Sequence, residues 1–145
     1  MQPNPALQPL AFLVGTWTTR GSHPMLPGRA LHGRTTFEWI EAGAFLLARS
    51  HIEAPEVPDG VAIFGTDDGR PGAGRMLYFD VRNVSREYTW TLAGNVWTWS
   101  RTDPALSQRM TFAISDDRRS ITCSGEMSRN GGDWEPDLQL VYTRD

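Results

Sequence analysis

The chain contains no lysine, and all 14 of its basic residues are arginine. Schiff-base catalysis needs a lysine amine, and phosphate-binding loops of the P-loop type need a lysine as well, so both are excluded. Cys123 is the only cysteine. Neither an intramolecular disulfide nor a cysteine-based zinc site can therefore form.

Long apolar runs and a strong excess of one charge are also missing. No segment approaches the roughly 18 apolar residues of a membrane-spanning helix, and residues 1–9 lack the charged and apolar regions of a signal peptide. We therefore expect a cytoplasmic protein without a membrane span. The formal net charge of −3 leaves no sign of the basic face that nucleic-acid binding requires, so no nucleic-acid partner is expected.

The chain is rich in aromatic residues and in two-residue periodicity. Six Trp, six Phe and three Tyr supply large apolar groups, and 145 residues suffice for one domain, 1–145, with a substantial core. Polar and apolar residues alternate in most segments, and Gly, Pro, Asn or Asp separates them, which is typical of short antiparallel strands. The predicted strands are 15–20, 31–40, 44–53, 60–66, 75–80, 85–92, 96–101, 108–114, 120–127 and 133–143.

About ten such strands must hide their edges, so the sequence predicts an all-β sandwich or barrel. Helical spacing occurs only near the amino terminus, where Leu7, Leu10 and Leu13 are three residues apart. This spacing indicates a short helical turn across one end of the barrel. Residues 67–72 have the composition of a turn.

The opening of the chain resembles that of calycins, in which a short helix leads to a Gly-x-Trp on the first strand. Here the motif is Gly15-Thr16-Trp17. The resemblance implies an antiparallel up-and-down barrel whose closed end is plugged by Trp17. It also implies that an arginine near the last strand packs across the indole, and Arg144 is the matching residue.

A broader resemblance covers nearly the whole chain. It rests on six segments, which are 41–47, 78–80, 84–86, 112 with its flanks, 131–134 and 142–144. Together these segments are similar to the uncharacterised bacterial DUF1579 family, which resembles lipocalins and fatty-acid-binding proteins in architecture. The resemblance implies the fold and assigns no activity.

The histidines do not fit a haem site. Nitrobindin-type relatives share the Gly-x-Trp opening and bind haem through a histidine in the carboxyl-terminal part of the chain. Here His23, His32 and His51 are the only histidines, and none follows residue 51. His51 and Glu53 share a strand face, but a metal site needs further ligands. We expect no metal and no cofactor.

Strand alternation predicts which side chains face the interior of the barrel. If the aromatic residues point inward, the arginines two positions away on the same strands do so too, and they would place guanidinium groups in an aromatic cavity. Such a lining suits a small hydrophobic or amphipathic molecule, notably an anion. The candidate cavity residues are Trp39, Tyr78, Asp80, Arg86, Tyr88, Trp90, Trp97, Trp99 and Arg101.

Three functions share this core pattern. The first is a non-catalytic protein that binds a small molecule in the barrel, with residues 55–60 and 65–74 forming a mouth over one end. The second is a hydrolase or isomerase acting on a small metabolite, with Tyr88 or His51 as acid–base group and Arg86 holding an anionic substrate. The third is a solidly packed barrel that acts through its surface, for example as a homodimer. We expect the first, and no catalytic residue is assigned.

Overall fold

Ten antiparallel strands, each paired with its neighbours in the chain, form a closed barrel in the computed structural model, which describes residues 3–145. Met1 and Gln2, at the start of the predicted domain, lie outside the described residues. The first strand also pairs with the last, which leaves the sheet without a free edge. The predicted all-β, up-and-down barrel is confirmed. The strands are β1 (Gly15–Ser22), β2 (Leu31–Ile40), β3 (Phe45–Ile52), β4 (Gly60–Asp67), β5 (Arg70–Asp80), β6 (Val84–Ala93), β7 (Val96–Arg101), β8 (Leu106–Ile114), β9 (Ser120–Arg129) and β10 (Trp134–Arg144).

The predicted N-terminal turn is a 3₁₀ helix, Pro5–Leu13, and a second short 3₁₀ turn, Glu41–Gly43, joins β2 to β3. The Asn4 side chain caps the first helix by accepting the Ala6 N–H at 3.0 Å. The three leucines of this helix are fully buried, and the helix packs against β4 and β5. Within residues 3–145, no helix is long and apolar enough to span a membrane.

One end of the barrel is closed by Trp17. Its indole is fully buried and donates from Nε1 to the Leu13 carbonyl at 2.8 Å. The Arg144 guanidinium lies 5.3 Å from the indole ring and donates to the carbonyls of Phe12 and Val14 at 2.8 and 2.6 Å. Cation–π contact and hydrogen bonds thus join the last strand to the helix and the first strand.

Gly15 makes room for this contact. Its φ of +130° is rarely accessible to L side chains, and a Cβ there would lie 3.0 Å from the Arg144 guanidinium. Gly15 is therefore needed for two reasons, its backbone conformation and the close approach of the Arg144 guanidinium.

Successive hairpins lie at opposite ends of the barrel because the strands are antiparallel. Residues 55–60 join β3 to β4 at the open end, whereas residues 65–74 lie at the closed end beside the N-terminal helix. The prediction that both segments form one mouth is therefore wrong. The β4–β5 link is also shorter than predicted, because Asp68 and Gly69, both at positive φ, form a tight turn and β5 begins at Arg70.

A β-bulge interrupts the last strand. Pro136 pairs with Glu126 and Gln139 with Ser124, so two residues, Asp137 and Leu138, lie opposite Gly125. A Cβ at Gly125 would lie 2.6 Å from the Leu138 carbonyl oxygen, and this position therefore requires glycine. The bulge turns two consecutive side chains toward the interior, and both line the cavity described below.

We predict that Trp17→Ala lowers the free energy of unfolding by about 3–5 kcal/mol, because truncating a large buried aromatic residue leaves a cavity. Equilibrium urea denaturation measures the change. The matched control is Trp134→Ala, at a partly exposed site near the carboxyl-terminal hairpin, where we expect a loss below about 1 kcal/mol. An equally small loss for Trp17→Ala would show that the indole does not hold the closed end together.

Candidate functional site

The open half of the barrel contains a cavity of about 630 Å³. Its floor lies above the closed end and is formed by large apolar side chains, among them Phe37, Met76 and Phe112. Residues of the β1–β2 and β3–β4 loops, including Leu26 and Val57, line its mouth. The volume lies within the roughly 300–1,000 Å³ of small-molecule sites. The barrel is therefore not packed solid.

Polar side chains form one network at this mouth, centred on Gln108. The Tyr88 hydroxyl donates to Gln108 Oε1 at 2.7 Å, and the Arg86 guanidinium donates to the same oxygen at 3.2 Å. The Gln108 amide nitrogen donates to Asp137 Oδ2 at 3.3 Å. Three strands, β6, β8 and β10, thus contribute to the network, and all four residues line the cavity.

His23 extends the network from the β1–β2 loop. Its Nε2 lies 3.0 Å from Asp137 Oδ1, and its Nδ1 accepts the Met25 backbone N–H at 3.0 Å. Because Nδ1 accepts a hydrogen bond, it carries no proton. The ring proton is therefore assigned to Nε2, which donates to the Asp137 carboxylate. Both ring nitrogens are therefore engaged within the protein.

Tyr88 is held as a protonated hydroxyl. Burial raises the pKa of this phenol above its ordinary value, while the positive charge of Arg86 opposes part of the rise. At neutral pH the group is a hydrogen-bond donor and not a base. Its proton is donated to Gln108 Oε1.

A second network lies at the rim, where β5 ends. Asp80 accepts hydrogen bonds from Arg82 Nη2 at 2.8 Å and from the Tyr78 hydroxyl at 2.9 Å. The Arg82 bonds lower the pKa of Asp80 to about 2, whereas burial and the Asp80 contact raise that of Tyr78. The network fixes the turn between β5 and β6 and holds the Tyr78 ring in the cavity wall.

The rest of the cavity wall is aromatic and sulfur-rich. Trp97 and Trp99 project from β7, with ring centroids 5.1 Å apart in an edge-to-face arrangement, and both pack against Phe112. Four of the five methionines in the chain also line the cavity. Their flexible thioethers suit contact with ring faces and edges. These residues are Met25, Met76, Met110 and Met127.

Five of the nine residues predicted from alternation line this cavity, namely Tyr78, Arg86, Tyr88, Trp97 and Trp99. They lie on three consecutive strands, β5, β6 and β7. Whether they contact a ligand stays a prediction.

The other four predicted residues lie outside the cavity lining. Trp39 and Trp90 lie below its floor, where Trp39 packs against the core and Trp90 Nε1 donates to the Gly65 carbonyl at 2.9 Å. The Asp80 carboxylate accepts hydrogen bonds from Arg82 and Tyr78. Arg101 points toward Asp103, at 3.7 Å. Alternation gave the inward face correctly but not the depth along the barrel.

The remaining candidates for chemistry lie apart from the cavity. The His51 side chain is 62% exposed and bonds Asp59 at 2.6 Å on the outer surface. Burial raises the pKa of the Cys123 thiol to about 12, so it stays protonated and unreactive. The part of the chain that the structure describes contains no cluster of three or more His, Cys, Asp or Glu side chains arranged to hold a metal.

Sequence reasoning missed three residues of the network, namely His23, Gln108 and Asp137. Gln108 could have been found, because it alternates with Met110 and Phe112 on β8. Asp137 could not, since regular alternation from Leu140 places it outward and only the bulge brings it inward. His23 lies in a loop whose path periodicity does not predict.

Comparisons with known proteins support the fold. No family model matches the chain, and no curated protein matches it, so membership of the DUF1579 family stays a prediction. The crystal structure of Rv2717c from M. tuberculosis is similar, with a TM-score of 0.76 and 19% sequence identity over 99% of each chain. At that identity the likeness shows the fold alone. The calycin resemblance of the Gly-x-Trp opening therefore stays a prediction, while the ten-stranded closed barrel itself is shown.

We predict that the advantage of wild-type over Asp80→Asn in unfolding free energy shrinks as the pH falls from about 4 to about 2. A carboxyl whose pKa is lowered by folding stabilises the protein above its unfolded pKa and loses that effect as the pH falls through its folded pKa. Urea denaturation at a series of pH values measures the difference. Asp68→Asn, in an exposed turn, is the control and should change stability by less than about 0.5 kcal/mol. A pH-independent difference for Asp80→Asn would contradict the prediction.

Proposed function

We propose that this protein binds one small amphipathic molecule in the open half of its barrel and does not transform it. The apolar body of the molecule lies against the aromatic wall and its polar end lies at the mouth. The observation that carries this proposal is the cavity itself, which has apolar walls and floor and gathers much of its polar lining in the network around Gln108. Such a division orients an amphipathic ligand.

Arg86 is the proposed anchor for the polar end. Its guanidinium is partly buried, and its hydrogen-bond partner is the neutral amide oxygen of Gln108. No carboxylate among residues 3–145 lies within 4.0 Å of it, whereas Arg82 at the same mouth is paired with Asp80. A half-buried guanidinium without a counter-ion favours an anionic ligand group, which can accept two of its N–H bonds. The Tyr88 hydroxyl beside it donates its one proton to the same Gln108 oxygen and so helps to hold that amide in place.

Binding accounts for these groups better than catalysis does. A hydrolase or isomerase needs an acid–base group that can exchange a proton with the substrate. Both ring nitrogens of His23 are already bonded, the Tyr88 phenol is held protonated by burial, and His51 lies on the outer surface. The carboxylates that line the cavity are bonded as well, Glu56 to Arg29 and Asp137 to His23 and Gln108. Each of these acid–base candidates in the cavity therefore has a partner within the protein.

A surface role is the remaining alternative. Leu77 and Phe79 are partly exposed on the outer face of β5, with Val81 just beyond the strand. A homodimer through this face would cover them. The cavity lies on the inner face of the sheet and this apolar patch on its outer face. Ligand binding and dimerisation are therefore compatible.

Native mass spectrometry of the protein purified from its own host tests the proposal directly. We expect a reproducible one-to-one adduct that denaturation releases, and extraction would then identify its chemical class. A clean apo mass, together with no uptake of added amphiphiles, would overturn the proposal.

We predict that Arg86→Gln weakens binding of 8-anilinonaphthalene-1-sulfonate about 10- to 100-fold, the loss typical of removing a charge-assisted hydrogen bond. The increase in dye fluorescence on binding gives the dissociation constant. Arg49→Gln is the matched control, because Arg49 is exposed on the outer face and lies near Glu38. Its affinity should equal that of wild-type. An unchanged affinity for Arg86→Gln would remove Arg86 as the anchor.

A further inference from the structure

We propose that Gln108 determines which charge the polar end of the ligand carries. Its side-chain amide lies between the Arg86 guanidinium and the Asp137 carboxylate and keeps these opposite charges from neutralising each other. The guanidinium is thereby left to an anionic group of the ligand. This role rests on the proposed binding in the cavity and goes beyond it, because it explains why Arg86 can act as an anchor.

Asp137 and Arg86 carry opposite charges at the same mouth without forming an ion pair. Asp137 is 9% exposed, and Arg86 is partly buried. Aspartates buried to this extent are ordinarily paired with a cation. Within residues 3–145, however, no arginine pairs with Asp137, and its carboxylate is bonded by the neutral His23 ring and by the Gln108 amide. The two charges are therefore held apart by the group that lies between them.

The Gln108 amide is aligned with both charges. Its oxygen accepts from Arg86 Nη1 at 3.2 Å and from the Tyr88 hydroxyl at 2.7 Å, and its nitrogen donates to Asp137 Oδ2 at 3.3 Å. The reverse orientation would set the amide nitrogen against two donors and the amide oxygen against a carboxylate. The three partners therefore fix one orientation, in which the oxygen faces the cation and the N–H faces the anion.

A neutral partner leaves most of the Arg86 guanidinium unused. This group has five N–H donors, and its only hydrogen bond within residues 3–145 is the one to Gln108. The amide oxygen orients the guanidinium but brings no negative charge. Arg82 shows the contrast, because its Nε and Nη2 donate to Asp80 at 3.2 and 2.8 Å and the pair is neutral. Arg86 thus keeps its charge and its donors for a ligand, whereas Arg82 does not.

Asp137 is also held from its other side. Its second carboxylate oxygen lies 3.0 Å from His23 Nε2, and its backbone carbonyl accepts from Gln139 Nε2 at 3.1 Å within the bulge. These contacts keep the carboxylate on the far side of the amide from Arg86. Truncating Gln108 would remove the group between the two charges, and the long Arg86 side chain would then turn to Asp137 and form a charge-assisted pair.

Two dyes that differ in one sulfonate measure the preference for an anion. 8-Anilinonaphthalene-1-sulfonate is anionic, and N-phenyl-1-naphthylamine is the same ring system without the sulfonate. Fluorescence titration of the full chain gives both dissociation constants, and the ratio of the two affinities is the sulfonate preference. A change in cavity volume alters both affinities and largely cancels in this ratio, whereas neutralising Arg86 affects only the anionic dye.

We expect Gln108→Ala to lower the sulfonate preference about tenfold, the loss of one charge-assisted hydrogen bond. Asp137→Asn alone should leave it within about threefold of wild-type, a change smaller than one such bond makes. In the double variant Arg86 has no carboxylate to turn to, so the preference should return to the wild-type value. Met127→Ala is the matched control, because Met127 lies opposite Gln108 in the cavity wall and enlarges the cavity when truncated without removing a member of the network. It should preserve the preference.

The outcomes separate this proposal from the proposed binding. If neither dye binds the wild-type protein, the proposed cavity binding is wrong and the role of Gln108 falls with it. If the dyes bind but Gln108→Ala keeps the wild-type preference, only the role of Gln108 is overturned. The same holds if the double variant is no better than Gln108→Ala, since losses that add indicate a merely structural network. Gln108→Leu keeps most of the side-chain volume and replaces the alanine variant, with the same expected results, if that variant does not fold.

Discussion

The pairing of β1 with β10 is the interaction on which the rest of the molecule depends. Its ladder runs from Trp17 opposite Arg144 to Ser22 opposite Gln139 and joins the two ends of the chain. Without it the sheet would have two open edges, which are prone to pair with other chains. The same ladder sets Arg144 against the Trp17 indole and places Thr19 beside Tyr142 in the cavity wall. Barrel closure, the plugged end and one side of the cavity are therefore consequences of one strand pairing.

Inward-facing residues of the same alternating strands fill the closed half of the barrel and line a cavity in its open half. At the closed end, inward side chains such as Trp17, Trp90 and Phe64 fill the interior completely. At the open end, the inward positions hold Arg86 and Gln108, whose polar groups bond each other at the cavity mouth. A packed base thus supports an open half that ends in a polar mouth.

Most of the fold was predictable because its signals are local. Period-two alternation located all ten strands, and Gly15-Thr16-Trp17 located the closed end. Depth in the barrel was not predictable, because the stagger between strands is set by pairings among distant residues. Trp90 and Trp97 have the same inward alternation, yet only Trp97 reaches the cavity. The position of a long side chain was not predictable either, because Arg101 reaches toward Asp103 and does not line the cavity.

The bulge at Asp137 and Leu138 divides β10 into two segments of opposite phase. Beyond it toward Arg144, even-numbered residues face inward, and before it toward Trp134 the phase is reversed. Gly125 and the Gln139 amide, which bonds the carbonyls of Gly125 and Asp137 at 2.9 and 3.1 Å, hold the dislocation in place. One extra residue in the strand therefore separates the orientation of side chains at the mouth from that at the closed end. Moving or removing the bulge would turn the side chains of residues 134–137 to the opposite face of the sheet and leave those of residues 139–144 in place.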